Sequence, residues 1–252
     1  MEELPLVSII MPCYNMESFI GEAIDSVRQQ TYPHWEMLIV DDASSDRTKE
    51  IVQRYCVQDS RVQFTAKDRH SGIADSRNQA IQMSKGRFLA FLDADDLWHP
   101  EKLQIQLEFM LDHQVGFTYS TYDWIDEQGH TLNKSIHTIG NLDYKDYLRN
   151  TVIGCSTVML DRDIVGVVFV PHFRTSEDTA TWLGILKKGH LAYAIDQALV
   201  SYRIRRKSAS SNKLKASIDL WKVYRRQEKL PFFQAVYFFS SYAFHAIKKH
   251  LF

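Results

Sequence analysis

The feature that most constrains the fold is a change of hydrophobic period, which recurs through the first hundred residues. Short apolar runs typical of buried strands lie at residues 7–11, 37–40, 62–64 and 88–92. Each run is followed by apolar residues at helical spacing, such as Ile20, Ile24 and Val27 after the first. This β-α-β-α-β-α-β-α order predicts an α/β fold with a mostly parallel sheet covered by helices on both faces.

Capping residues set the expected limits of these helices. Ser44 or Ser45 is expected to cap the second helix, and Gly86 to stop the third. Pro100 stands where a fourth helix would begin, because proline is favoured in a first helical turn.

The second half of the chain mixes longer extended runs with short helices. Extended structure is expected at residues 115–125, 156–160 and 192–204, with a turn at Gln128-Gly129. A short helix is expected at 143–150, and Ser176 can cap another that ends at Gly189.

No repeat or Gly/Ser linker divides the chain, so one mixed domain is expected over residues 1–215. We expect its nucleotide-binding half at about 1–112 and its acceptor half at about 113–215. A basic, aromatic helical tail is expected at 216–252.

Charge is distributed unevenly along the chain. Residues 1–200 carry 18 Lys and Arg against 29 Asp and Glu, a net charge of −11. Residues 201–252 carry 12 against 2, a net charge of +10. A basic end of this size indicates either an anionic partner, such as phosphates or a lipid surface, or a solvated basic tail.

The ends of the chain also bear on its location. The acidic start is unlike a secretory signal, so a cytoplasmic protein is expected. The aromatic stretch at 232–247 is interrupted by polar residues, so it is expected to lie in a membrane interface or to pack on the domain rather than to span a bilayer. The three cysteines have no Cys-x-x-Cys spacing, which disfavours a disulfide framework or zinc site.

Two predicted strands end in acidic residues, Asp41-Asp42 and Asp93-Ala94-Asp95-Asp96. Ligands of open α/β sheets bind at the carboxyl ends of strands, and paired carboxylates suit Mn²⁺ or Mg²⁺. Asp93 and Asp95 point the same way if the segment is extended, whereas Asp96 is expected to shape the following turn. A simple turn at Asp95-Asp96 is the alternative.

The loop after the first strand contains no phosphate-binding glycine motif. The absence of Gly-x-Gly-x-x-Gly and Walker sequences disfavours dinucleotide-binding oxidoreductases and P-loop enzymes. Tyr14 could stack on a base and Asp42 could accept a hydrogen bond from one. A core tyrosine and a turn aspartate are the structural alternatives.

Two later segments carry further candidate groups. Glu177 and Asp178 open a predicted helix, where they either cap it or supply a general base. Arg203 and Arg205 alternate in an extended run, where they either face a diphosphate or form a solvated basic strand.

Taken together, these segments resemble the inverting, nucleotide-sugar-dependent glycosyltransferases of family 2, which have the GT-A fold. The matching stretches are 7–15 (VSIIMPCYN), 38–46 (LIVDDASSD), 71–80 (SGIADSRNQA), 86–100 (GRFLAFLDADDLWHP), Glu177-Asp178 and 202–208. Their order and spacing cover roughly residues 5–210. The family's longer Gln-x-x-Arg-Trp pattern is missing, which weakens the assignments in the last stretch.

The resemblance implies roles for individual residues. Nucleotide contacts would come from Pro12, Tyr14, Asp42, Arg77 and Asp93. Asp95 would be the direct ligand of Mn²⁺ or Mg²⁺, and Asp178 the catalytic base. Diphosphate or acceptor contacts would come from Glu177, Arg203 and Arg205.

The resemblance also implies a reaction and partners. The donor would be a nucleotide-sugar, expected to be a UDP-sugar, and the acceptor a lipid-linked or growing cell-envelope polysaccharide. The sequence looks most similar to bacterial cell-wall enzymes such as teichuronic acid glycosyltransferases, working on the inner face of the membrane without a nucleic-acid partner. A sugar nucleotidyltransferase, a phosphoacceptor signalling module and a non-catalytic nucleotide-sugar-binding scaffold are the rival interpretations.

Overall fold

The computed structural model describes residues 4–205 and 213–251. Its strands are β1 Val7–Cys13, β2 Trp35–Asp41, β3 Val62–Ala66, β4 Phe88–Phe91, β5 Leu97–Trp98, β6 Phe117–Ile125, β7 Thr131–Ile136, β8 Met159–Asp161 and β9 Tyr193–Arg203. Its α-helices are α1 Ile20–Arg28, α2 Thr48–Gln58, α3 Ile73–Met83, α4 Lys102–His113, α5 Tyr144–Arg149, α6 Arg162–Val165, α7 Glu177–Leu186, α8 Lys213–Lys222 and α9 Phe232–Leu251. A 3-10 turn covers Cys155–Thr157 and a π-helical turn Val223–Gln227.

All the strands of the described chain join one mixed sheet, in the order β3-β2-β1-β4-β8-β6-β9-β5, with β7 paired to β6. The strands β3, β2, β1 and β4 are parallel. Strand β8 runs antiparallel to β4 and β6, and β6 and β9 are parallel. This arrangement confirms the predicted α/β architecture.

Helices cover both faces of the sheet, which explains why its central strands are apolar throughout. Alternate residues of β1 enter different cores: Ile9 and Met11 pack with residues of α1, α2 and α4. Ile10 joins Leu38, Phe91 and residues of α3, α5, α7 and α9 on the other face.

Three predicted helix caps are not formed, and at α2 a neighbouring aspartate takes the place of the predicted serine. Helix α2 begins at Thr48, whose N–H is accepted by Asp46 at 3.0 Å, while Ser44 bonds Asp41 instead. Ser176 makes no side-chain cap bond to α7. Helix α3 ends at Met83, before the predicted stop.

Gly86 has a different role from the predicted one. A Cβ at this position would lie 2.5 Å from the carbonyl oxygen of Leu6, so close backbone approach requires glycine here. The predicted turn at Gln128-Gly129 is confirmed, with Gly129 at φ 86°.

Three strands differ from the sequence prediction. Strand β7 was not predicted, and it pairs antiparallel with β6 beyond the turn at residues 128–129. The short β5 was not predicted, and it forms because Leu97 and Trp98 pair with Ser201 and Val200 of β9. The predicted strand at 156–160 begins as the 3-10 turn, and only Met159–Asp161 is extended.

The C-terminal segment packs on the domain and also exposes aromatic side chains. Ala235 and Phe238 of α9 are buried in the main core, whereas Phe233 and Phe244 are exposed. Within residues 4–205 and 213–251, no helix has both the length and the apolar character needed to cross a membrane.

Candidate active site

The acidic motif lies just beyond β4, at the carboxyl edge of the parallel strands, as predicted. Asp96 is fully buried inside this loop. Its carboxylate accepts the Ser156 hydroxyl at 2.6 Å and the backbone N–H of Arg203 at 2.9 Å. Burial, together with the charges of Asp95 and Asp93, raises the pKa of Asp96. Asp96 therefore fixes the loop against β9, and its burial leaves its carboxylate without exposed surface for a ligand.

Arg77 connects the acidic motif to helix α7. Its buried guanidinium donates to Asp93 Oδ1 at 2.6 Å and to Glu177 Oε1 at 2.9 Å. The helix α3 that carries Arg77 also packs on β1 and β2, which fixes its position relative to the sheet. This bridge places residues 93 and 177, which are far apart in sequence, around one cation.

Glu177 is buried, and its second oxygen, Oε2, has no hydrogen-bond partner in the described chain. Burial raises the pKa of Glu177 to about 7, although the adjacent Arg77 charge opposes this. An ionised carboxylate that is removed from water without enough hydrogen bonds or opposite charge destabilises the fold, so burial favours its protonated form. The structure thus holds Glu177 close to its point of protonation at neutral pH.

Asp178 follows at the first turn of α7, half-buried, with Oδ1 accepting the N–H of Thr179 at 2.6 Å. Burial raises the pKa of Asp178, and the charge of Arg77 only partly offsets it. The buried Tyr147 and Cys155 lie close enough that the charge of Asp178 raises the pKa of each. Sequence reasoning missed both residues, since nothing around them forms a motif.

Asp95 faces a cation in this structure. Its Oδ2 lies 2.5 Å from the Nε of Arg205, and both side chains are largely buried. Burial raises the pKa of Asp95, against the lowering effect of Arg205. The Arg205 guanidinium also lies over the ring of Phe19, at 5.3 Å from its centroid.

Arg203 is enclosed rather than presented to a ligand. Its guanidinium lies 2.6 Å from Glu22 and donates to the carbonyl oxygens of Asp95 and Glu127. Its side chain has no exposed surface. The expected pair of diphosphate contacts is therefore reduced to Arg205 in this structure; the remaining residues 206–208 of the basic run lie outside the described ranges.

The expected nucleobase pocket lies at the ends of β1 and β2. Pro12 is buried in β1, and Tyr14 follows it with 42% of its surface exposed. The imidazole of His70 lies against Tyr14, with ring centroids 4.4 Å apart. Tyr14 is thus at the surface and partly covered by a neighbouring ring.

Asp42 is buried and holds the loop that follows β3. It accepts the N–H groups of Ser71 at 2.9 Å and Gly72 at 2.7 Å, and it pairs with Lys67 and His70. Burial raises the pKa of Asp42, but these partners bring it below its ordinary value. Both oxygens of Asp42 therefore contact this loop. In the sequence, only the family resemblance of residues 71–80 indicated that the loop after β3 belongs to the site.

The donor set suits a hard divalent cation. Asp93 and Asp95 offer carboxylate oxygens, and Mg²⁺ or Mn²⁺ commonly binds through one or two carboxylates together with water and substrate phosphates. The Arg205 guanidinium beside Asp95 shows that positive charge is accommodated there. No group of three or more acidic, histidine or cysteine side chains in the described ranges is arranged as a complete metal site.

Comparisons with known proteins agree with this geometry. The sequence profile of Glycosyl transferase family 2 matches residues 8–173. TuaG of Bacillus subtilis, whose name assigns it to teichuronic acid biosynthesis, is 45% identical over 98% of both chains. WfgD of Escherichia coli, named as a UDP-Glc:α-D-GlcNAc-diphosphoundecaprenol β-1,3-glucosyltransferase, is 38% identical over 98% of this chain and 96% of its own.

Solved structures share the fold. S. aureus TarS in complex with UDP-GlcNAc superposes with a TM-score of 0.72 at 20% identity, covering 88% of this chain. The mannosyltransferase PcManGT of Pyrobaculum calidifontis, with GDP-Man and Mn²⁺, gives a TM-score of 0.70 at 19% identity, covering 91%. The chain spans 65% and 66% of these two solved chains. The fold is that of the GT-A glycosyltransferases, and the chain belongs to glycosyl transferase family 2.

Proposed function

We propose that this enzyme transfers a sugar, with inversion, from a nucleotide-sugar to a hydroxyl group of a cell-envelope polysaccharide precursor. The observation that carries the proposal is the Arg77 bridge between Asp93 and Glu177. It holds the acidic motif and the start of α7 together. A single displacement at an anomeric carbon requires the donor site and the base to lie close to each other in this way.

In this mechanism Asp178 removes the proton from the acceptor hydroxyl as that oxygen attacks the anomeric carbon. The raised pKa of Asp178 strengthens it as a base. The nucleotide diphosphate leaves from the opposite face, so the configuration inverts. Glu177 stays beside the base and fixes Arg77 through its Oε1; a contact between Glu177 and the acceptor would require a movement that exposes its buried Oε2.

We propose that Pro12 and Tyr14 line the nucleobase pocket and that Asp42 shapes it by ordering the 67–72 loop. Asp93 and Asp95 would hold Mn²⁺ or Mg²⁺, with Asp95 the direct ligand. When bound, the metal supplies positive charge to the leaving diphosphate. Arg205 would contribute to the same charge, while Arg77 would keep Asp93 in place.

The relatives support a UDP-sugar donor and a lipid-linked acceptor. WfgD is named for UDP-Glc and a diphosphoundecaprenol acceptor, and the TarS structures contain UDP-GlcNAc or UDP. We propose that residues 1–112 bind the donor and 113–215 the acceptor. We further propose a cytoplasmic enzyme whose tail, residues 216–252, contacts the inner face of the membrane; we assign no nucleic-acid partner.

A thermal-shift panel of nucleotide sugars with and without Mn²⁺ tests the donor assignment, because at equal concentration the ligand that binds the folded protein more tightly raises its unfolding temperature more. UDP-sugars should give the largest shift. Turnover should release UDP; release of pyrophosphate would instead indicate a nucleotidyltransferase, and no release with any acceptor would indicate a binding scaffold.

The catalytic assignment is tested with Asp178→Asn. Turnover should fall by about 10²-fold or more, because general base catalysis is lost, while UDP binding stays near the wild-type value. Asp112→Asn, an exposed change on α4, is the matched control. Unchanged turnover in the Asp178 variant would remove this residue as the base.

A further inference from the structure

We propose that the groove between α5 and α9 binds the apolar chain of the lipid-linked acceptor. This inference rests on the proposed function, since it assumes an acceptor carried on a lipid diphosphate. The groove has a volume of about 450 Å³. Leu148, Leu230 and Phe238 form its buried floor, and Phe233 and Tyr237 form a wall. This size lies within the range of small-molecule sites.

The wall of the groove is exposed in a way that packing alone does not explain. Phe233 is 85% exposed and Tyr237 59% exposed, although Ala235 and Phe238 on the same helix are buried. The helix therefore already has a core-facing side, and it presents a second apolar side next to a cavity. Large adjacent apolar side chains left in water usually mark a binding surface.

Charge at the rim identifies the kind of lipid. Lys145 is exposed and has no ion-pair partner within the described residues, and it lies on α5 beside the cavity. Arg149 lines the cavity too, and it pairs with Asp146 at 3.0 Å. An apolar floor with an unpaired cation at its edge fits a long apolar chain that ends in an anionic diphosphate.

The surroundings of the groove extend this charge pattern. The two acidic residues of the tail, Asp219 and Glu228, are buried and pair with Lys222 and Lys187. The basic residues Arg225, Arg226 and Lys229 are exposed. The solvent side of residues 225–229 is therefore basic, which disfavours binding of a cationic amphiphile.

Helix α5 connects the groove to the catalytic base. Lys145, Leu148 and Arg149 face the groove, while Tyr147 on the same helix is buried near enough to Asp178 for that charge to raise its pKa. Helix α5 also packs on both α7 and α9. A helix is about 10 Å across with its side chains. A lipid chain in the groove would thus leave its diphosphate-linked sugar about one helix width from the base.

The test uses the full chain and vesicles of phosphatidylcholine that contain either polyprenyl diphosphate or phosphatidylglycerol at equal total charge. Phe233→Ser and Lys145→Gln change the groove. Phe244→Ser and Lys85→Gln are matched controls, since both residues are exposed and neither lines the cavity. Binding is measured by co-sedimentation, and UDP release is measured with a water-soluble saccharide acceptor.

We expect each groove variant to bind polyprenyl diphosphate vesicles about tenfold more weakly, through loss of buried apolar surface or of the rim charge. Binding to phosphatidylglycerol vesicles and UDP release with the soluble acceptor should stay at wild-type levels. Equal losses in the control variants, or equal losses on both kinds of vesicle, would mean general bilayer docking and would overturn the proposal. Absence of UDP release in the wild-type enzyme would contradict the proposed function separately.

Discussion

Replacement of Glu177 by glutamine should stabilise the protein at alkaline pH and have little effect at acid pH. The side chain is buried, and burial raises its pKa from 4.5 to about 7. Between these values the folded protein keeps a proton that the unfolded chain has released. Folding stability therefore falls as pH rises through this interval and stays low above about pH 7.

The size of the effect follows from the shift. One pKa unit corresponds to about 1.4 kcal/mol, so the ionised Glu177 reduces stability by about 3 kcal/mol above pH 7 and by less than about 1 kcal/mol at pH 5. Glutamine keeps an oxygen for the Arg77 N–H and does not ionise. The advantage of Glu177→Gln should therefore grow by about 2 kcal/mol between pH 5 and pH 8, or roughly 4–8 °C for a chain of this size.

Thermal unfolding followed by circular dichroism at several pH values measures this difference. Glu108→Gln, an exposed carboxylate on α4, should show no such trend and serves as the control. If the difference between wild type and the Glu177 variant is constant with pH, or if the variant loses stability at pH 8, the burial argument is wrong. In that case Arg77 must compensate the charge of Glu177 fully.

Three further changes test other parts of the structure. Arg205→Gln should tighten Mn²⁺ binding in the absence of donor, measured by electron paramagnetic resonance, because Asp95 loses its competing cation. The same change should weaken UDP binding by about tenfold, because a positive charge beside the diphosphate is lost. If the affinities for Mn²⁺ and UDP change in the same direction, the proposed competition is contradicted. Asp95→Asn should abolish the gain in UDP affinity that Mn²⁺ gives in calorimetry, and a persisting gain would exclude Asp95 as the ligand. Gly86→Ala should lower the free energy of unfolding, measured in urea, by about 1–3 kcal/mol because its Cβ would meet the Leu6 carbonyl oxygen. Gly184→Ala is the control, because its Cβ would have no atom within 4 Å, and it should be neutral or stabilising. Equal effects of the two changes would refute the packing argument.

The first half of the fold was predictable because its strands are buried on both faces. Continuous apolar runs separated by helical spacing leave few other arrangements. The caps were less predictable: Asp46 accepts the Thr48 N–H at the start of α2, while Ser44 is held by Asp41, and local sequence does not rank such competing acceptors.

The candidate site was predictable only as a set of acidic and basic positions. The motif placed Asp93 and Asp95 at a strand end, but the partners of these residues come from distant segments. Arg77 between two carboxylates and Arg205 against Asp95 are results of tertiary packing. The burial of Arg203 could not be predicted from the local sequence either, because an alternating basic run has the same pattern whether it faces solvent or a carboxylate such as Glu22.

The contacts of Asp96 determine the order in which parts of the protein can fold during synthesis. Its carboxylate joins the hydroxyl of Ser156, 60 residues later, and the backbone of Arg203, 107 residues later. On a ribosome these contacts become available only after β9 has emerged, whereas β1 to β4 are made much earlier. The parallel strands can thus collapse first, while the acidic loop stays unfixed until the last strand arrives. A nascent chain truncated before Arg203 should therefore contain a folded sheet but no competent donor site.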